Sequence, residues 1–333
     1  MNELGKTSGH VVAADQVSMI EIDDEWAGQR IDNFLMRICK GVPKSHVYRI
    51  LRSGEVRVNK GRVSADYRLE SGDVVRVPPV RVAAREVEIP TWMPPPSYTI
   101  VHEDDHLIVI DKPAGLAVHG GSGVSFGVIE QLRNARPKAK YLELVHRLDR
   151  ETSGLLMIAK RRSALVSLHD QIRENQIDKR YLACVAGDWH DRRRAVKAAL
   201  HKYLTPDGER RVRVQEDGQA SHTIFNLIER FTDFALLECE LKTGRTHQIR
   251  VHLQHLGTPI VGDEKYGDYA LNKRLARADA KPGIRRMFLH AYKLRITHPN
   301  TGAPLELEAP LPPECQRFVN QLQEKEGDAA KTV

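Results

Sequence analysis

His146-Arg147-Leu148-Asp149-Arg150-Glu151-Thr152-Ser153-Gly154, followed by the apolar run Leu155-Leu156-Met157-Ile158-Ala159, is the stretch on which the reading of this 333-residue chain turns. A short apolar run after a Ser-Gly turn reads as a buried strand. The polar run ahead of it sits at that strand's edge. Such clusters are ordinarily solvated ion-pair networks. This one has a distinctive order: one carboxylate, Asp149, lies between Arg147 and Arg150, and Ser153-Gly154 turns the chain into the strand.

Outward from it, Leu107-Ile108-Val109-Ile110 is a second short apolar run, and Ser221 to Glu229 and Phe234 to Leu241 alternate with period two. Helices are fewer. One is expected over about Ser163 to Glu174, with Leu165, Leu168 and Ile172 inward, and another from near Thr246. Strands not regularly separated by helices argue for an α+β domain with a large mixed, mostly antiparallel sheet.

The N-terminal part has a different composition. The chain carries a formal charge of +7, and 12 Lys and Arg against 5 Asp and Glu fall between Arg30 and Arg81, so that segment holds the whole excess. A small basic module on a neutral body suits binding to a phosphate backbone. Ile31, Phe34, Leu35 and Ile38 mark one helix face, and Val47, Ile50 and Leu51 a second helix over about Ser45 to Arg52 that ends at Ser53-Gly54. Strands are expected at Glu55 to Asn59 and Asp73 to Val77, with a turn at Asn59-Lys60-Gly61. VPKSHVYRILRSGEVRVNKGRV followed by LESGDVVRV resembles the small α-L type S4 RNA-binding domain. The resemblance implies an RNA-facing surface of Lys44, Arg49, Arg52, Lys60 and Arg62, which are also basic residues left over once the apolar stripe is buried.

The second region carries a stronger resemblance. HRLDRETSG resembles the signature of the RluA-type pseudouridine synthases, whose pattern is HRLDxxTSG. Asp111 to His119 (DKPAGLAVH), Lys179 to Ala183 (KRYLA), Thr243 to His252 (TGRTHQIRVH) with Gly257 to Asp263, and Leu289-His290-Ala291 resemble further motifs of that family in its order. VPKS, YRILRSGEVRVNK, RVPPVRVA, AVHGGSG and FGVIE resemble stretches of a member that acts on the large ribosomal subunit. Val261-Gly262-Asp263 and the 1–17 arm depart from that member, and such departures are expected to bear on target choice more than on chemistry.

The resemblance implies the pseudouridine synthase fold, with no cofactor and no metal, and isomerisation of specific uridines in 23S ribosomal RNA. The substrate would be free RNA or an assembling large subunit. Turning uridine into pseudouridine breaks the N1–C1′ bond, turns the base and forms C5–C1′, with no redox change. It needs a nucleophile already ionised at neutral pH, which a carboxylate supplies without a general base. By resemblance Asp149 is that nucleophile. Burial would disfavour the charged carboxylate unless a cation offset it, and by resemblance Arg250 is that cation. Tyr181 maps onto the family's active-site tyrosine, whose ring can stack on uracil and whose phenol could take the C5 proton if its surroundings tune it. Arg147, by resemblance, fills the gap left by the flipped-out base, where a planar guanidinium can stack and hydrogen-bond together. Whether Asp149 attacks C1′ or C6 stays open. Two other readings stay open as well: a family member acting on other ribosomal or transfer RNA uridines, and a non-catalytic RNA-binding assembly factor.

Other chemistries find little support. Cys39, Cys184, Cys239 and Cys315 lack metal-ligand or redox spacing and read as free buried thiols. His247 and His252 would lie about 140° apart on a helix, so a shared metal is not expected. Gly120-Gly121-Ser122-Gly123 reads as a loop near the site entrance rather than a dinucleotide loop. No run approaches the ~20 apolar residues that span a bilayer, and the N-terminus lacks a signal-peptide core, so a cytoplasmic protein is expected. A monomer is expected because one RNA-facing surface needs no symmetry mate. The expected organisation is an arm at 1–17, the S4 domain at 18–80, a proline-ended linker at 81–97, the catalytic domain at 98–320 and a frayed tail at 321–333.

Overall fold

The computed structural model describes residues 16–23, 26–39, 41–80, 95–120 and 126–331, with side chains to 328. Residues 1–15 of the expected arm, 81–94 of the expected linker and 121–125 of the glycine loop lie outside the described residues. The chain divides into two compact units, Met1–Met93 and Pro94–Val333.

The first unit runs β1 (Ser18–Glu21), α1 (Ile31–Ile38), α2 (Lys44–Arg52), β2 (Arg57–Val58) and β3 (Val74–Val77), its strands ordered β1-β3-β2 and antiparallel. Ile31, Phe34, Leu35 and Ile38 of α1 and Val47, Ile50 and Leu51 of α2 bury into one core with Val56, Val58, Val75 and Val77. β2 is shorter than expected because Asn59 and Lys60 take φ of 49° and 70°, which ends the strand in a turn. β3 starts after Asp73, whose buried carboxylate is occupied accepting bonds from the Asn59 amide, the Tyr67 hydroxyl and the Glu70 N–H.

The second unit begins with β4 (Thr99–Glu103), β5 (Leu107–Lys112), α3 (Val128–Ala135), β6 (Glu143–Leu144), β7 (Ser153–Ala159) and α4 (Arg162–Arg173). β8 (Asp178–Ala186), β9 (Arg193–Lys197), β10 (Leu200–Leu204), β11 (Arg210–Val214), β12 (His222–Arg230) and β13 (Phe234–Leu241) follow. The chain continues through α5 (Gln248–His255), α6 (Tyr269–Leu275), β14 (Leu289–Thr297), β15 (Pro304–Glu308) and α7 (Pro313–Lys331). Among the described residues ten strands make one sheet, ordered β4-β5-β7-β14-β8-β13-β12-β9, with β15 on β14 and β6 on β7. Its pairings are antiparallel except β7 with β14. The expected α+β class with a mixed, mostly antiparallel sheet is what the chain adopts.

The apolar runs are continuous rather than alternating because both faces of the sheet are covered. Ile108, Ile110, Leu156 and Ile158 pack on one side, Leu107, Val109, Leu155 and Met157 on the other. In β8, Tyr181, Ala183 and Val185 join the first of these layers, while Cys184 and Ala186 face Cys315, Phe318, Val319 and Leu322 of α7. That helix corrects the expected frayed tail. The 315, 318, 319, 322 spacing anchors it, and it continues to Lys331. All four cysteines are free and buried.

Candidate active site

Asp149 opens the turn that leads into β7, its carbonyl accepting the Thr152 N–H. The expected Ser-Gly turn is instead the start of the strand itself. Gly154 has φ 109°, and a Cβ there would lie 2.3 Å from the Ala291 carbonyl oxygen, so the β7–β14 contact needs glycine. Ser153 accepts a bond from Arg286 and is 2.8 Å from His290 Nδ1, tying the same point to β14.

Lys112, fully buried at the end of β5, clamps the turn from behind. Its ammonium donates to the carbonyls of Pro113, Leu116 and Arg150 at 2.8, 2.9 and 3.1 Å. Arg150 Nε returns a bond to the Gly115 carbonyl. Burial, above all, pulls the Lys112 ammonium down to about 7.

Asp149, Tyr181, Arg250 and Arg147 line one cavity of about 900 Å³, together with His146, Thr152, Lys179, His247 and Leu289. Arg250, from α5, donates through Nη1 to Asp149 Oδ2 at 2.9 Å. Its Nε and Nη2 grip Asp263 at 2.7 and 2.8 Å, and its guanidinium lies 5.0 Å over the Tyr266 ring. The Asp263 side chain is 0% exposed, that of Arg250 6%, and that of Asp149 25%, so the shared charge opens to the cavity only at Asp149. Burial opposes the Arg250 charge, but Asp263 and then Asp149 outweigh it and raise its pKa. Burial likewise pushes the Asp263 carboxyl up, but Arg250 and the N–H groups of Lys265 and Tyr266 bring it below its ordinary value.

Asp263 corrects the expectation that Val261-Gly262-Asp263 bears on target choice more than on chemistry. It fixes the guanidinium that holds Asp149. A clue was the sequence Gly262-Asp263, a turn whose aspartate accepts the following backbone amides.

Tyr181 is buried on β8, opposite Cys239 of β13 and Ala291 of β14. Burial, and then the Asp149 charge, raise its phenol pKa. The tuning toward a base expected from the sequence therefore runs the other way, and the phenol stays protonated at neutral pH. Arg147 is exposed and, among the described residues, has no side-chain hydrogen bond or ion pair. Lys44, Arg49, Arg52, Lys60 and Arg62 are all exposed on the other unit, Arg62 packing over Gly54.

His247 and His252 do not share a helix. α5 starts at Gln248, and His247 precedes it with φ 53°, so helical angles do not apply to it. The two rings have separate partners: His252 meets Ser221 and Thr223, and His247 meets Tyr266. Elsewhere, His102, Asp104 and His298 bring possible ligand atoms within 4.8 Å. His298 Nδ1 accepts the N–H groups of Asn300 and Thr301, which puts the neutral ring's proton on Nε2, facing Asp104. That nitrogen donates rather than offering a lone pair to a metal.

Comparison with known proteins agrees with this geometry. A family model described as RNA pseudouridylate synthase matches residues 106–255, and an S4 domain model matches 29–75. Ribosomal large subunit pseudouridine synthase C of Salmonella typhi is 52% identical over 313 residues, covering 93% of this chain and 98% of that protein. The chain belongs to the RNA pseudouridylate synthase family. The protein of the same name from Pasteurella multocida is 51% identical, covering 93% of this chain and 95% of its own length. Among solved structures, Human RNA Pseudouridylate Synthase Domain Containing 4 superposes with a TM-score of 0.55 at 28% identity, covering 67% of this chain and 92% of that one. Human RNA Pseudouridylate Synthase Domain Containing 1 does so at 0.53 and 25%, covering 69% and 98%. Enzymes of this family are isomerases, and the S4 domain adds a second RNA-binding element to this one.

Proposed function

We propose that this enzyme isomerises specific uridines of 23S ribosomal RNA in the large subunit, with Asp149 as the nucleophile. The observation that carries this reading is the Arg250–Asp149 hydrogen bond at 2.9 Å inside a cavity also lined by Tyr181. Arg250, anchored by Asp263, fixes the carboxylate in place. The flipped uridine stacks on the Tyr181 ring, and Arg147, with no partner among the described residues, takes the place the base leaves. The carboxylate then adds at C1′ or C6, the N1–C1′ bond breaks, the base turns and C5–C1′ forms; the bond to Asp149 breaks again to return the carboxylate, the C5 proton passes to water and N1 takes one up from water. The chain acts in the cytoplasm as a monomer without metal, on free RNA or the assembling large subunit, while Lys44, Arg49, Arg52, Lys60 and Arg62 bind the phosphate backbone.

Support for the ribosomal substrate comes from the names of the relatives. A non-catalytic assembly factor is disfavoured by family membership together with the retained Asp149–Arg250 pair. The test is carbodiimide primer extension on large-subunit RNA from a strain lacking the gene, complemented with the wild-type chain or with Asp149→Ala. Pseudouridines restored by the former alone support the reading. Modification by Asp149→Ala would refute the nucleophile, and modification of transfer RNA alone would move the substrate.

A further inference from the structure

His247, not expected to hold a metal, has a ring that is aimed. It has φ 53° immediately before α5, a left-handed conformation unusual for a residue with a Cβ. Its Nδ1 lies 2.8 Å from the Tyr266 hydroxyl, and the two rings meet edge to face at 5.4 Å. That hydroxyl accepts the Val212 N–H at 2.9 Å and keeps its own proton available to donate to Nδ1. With that proton donated to Nδ1, the neutral imidazole carries its hydrogen on Nε2. Burial, the largest influence, lowers the ring's pKa and favours this neutral form.

Nε2 faces Asp149 Oδ1 at 3.9 Å. Arg250 holds the other oxygen, Oδ2, so Oδ1 is the one it leaves free. We propose that His247 is a positioning residue for Asp149, its Nε2–H steering Oδ1 toward the incoming nucleotide, with Tyr266 fixing the tautomer that makes this possible. The proposal rests on the reading of Asp149 as nucleophile. A neutral donor suits the task. A second full cation beside Arg250 would stabilise the carboxylate further and blunt its attack, whereas an N–H restricts rotation at less cost. The separation exceeds a hydrogen bond, and closure by about 1 Å makes one. Catalytic contacts commonly tighten in this way only with substrate bound.

The test uses the full chain, transcribed large-subunit RNA and single-turnover rates. Glutamine can place an amide nitrogen near the position of Nε2, asparagine near that of Nδ1. His247→Ala and His247→Asn are expected to lose roughly tenfold to hundredfold in rate with RNA affinity unchanged, and His247→Gln to recover most of it. Tyr266→Phe keeps a ring under Arg250 but frees Nδ1, and nitrogen NMR should then show His247 losing its fixed Nε2–H tautomer. Should His247→Ala misfold, the Gln against Asn comparison still decides. Equal rates for those two, full activity of His247→Ala beside an inactive Asp149→Ala, or a wild-type proton on Nδ1 would each overturn the proposal. An active Asp149→Ala would instead overturn the nucleophile reading beneath it.

Discussion

Lys44, Arg49, Arg52, Lys60 and Arg62 stand in solvent on the N-terminal unit, whereas Arg250 and Asp263 of the catalytic unit are buried and bonded to each other. Exposed cations keep their hydration, are screened by salt and contribute to RNA binding roughly independently. Buried ones have given up hydration, so each depends on its partner and removing one strands the other. On the function proposed above, the same basic residue types serve two ends: graded affinity on one unit, all-or-none geometry in the other.

That contrast breaks most visibly at Arg250. Arg250→Met strands Asp263, which is fully buried, and releases Asp149 Oδ2. Single-turnover measurements should find a loss of about 10²–10³ in rate. Denaturant titration should find a destabilisation of about 3–5 kcal/mol. A near wild-type rate would mean that the guanidinium does not organise the nucleophile.

Asp263 sharpens the comparison through pH. Its folded pKa is depressed, so its contribution to stability is complete above the ordinary carboxylate range and is lost as pH falls through the depressed value. Asp263→Asn should flatten the acid limb of a stability-versus-pH curve and remain less stable than wild type at pH 7. Substituting an exposed lysine of the N-terminal unit should leave that limb in place. An unchanged limb in Asp263→Asn would assign acid sensitivity elsewhere.

A smaller effect is expected at Gly154, which serves the cavity through backbone geometry rather than charge. Gly154→Ala combines φ 109° with a Cβ 2.3 Å from the Ala291 carbonyl oxygen. Melting experiments should detect a strain of about 1–3 kcal/mol. The rate should fall with it as the Asp149 turn shifts. Unaltered melting would show that β7 and β14 can part without loss.

Much of this was legible because periodic burial writes itself into sequence. The α1 and α2 stripes, the two double-faced strands and α4 follow from apolar spacing alone. The α7 pattern was equally present, but its C-terminal half is polar and reads as a tail when the Cys315, Phe318, Val319, Leu322 stripe is not followed through. In the site, Asp149, Tyr181 and Arg250 came through motif resemblance. Asp263, His247 and Tyr266 did not come through as site residues, since their importance lies in contacts to Arg250, Asp149 and each other rather than in any local pattern. Side-chain direction after a left-handed residue such as His247 cannot be deduced from helical spacing.

The smallest effect belongs to the exposed charges, and it tests the contrast from the other side. Lys44, Arg49 and Arg52 share α2 and are all exposed. If each neutralises one phosphate, replacing all three with glutamine should lower the slope of log affinity against log salt by about 2, from roughly 0.7 per contact on single-stranded RNA. Each single change should lower it by about a third of that, because screened charges separated by solvent act nearly additively. Turnover at saturating RNA should be unchanged, since none of the three lines the catalytic cavity. Filter binding across a salt series measures the slope, and single-turnover kinetics measures the rest. A triple variant with an unaltered slope would remove these side chains from the RNA surface. One that lost turnover at saturation would show that the two kinds of charge are not separable, because binding through this helix would then be setting the geometry at Asp149.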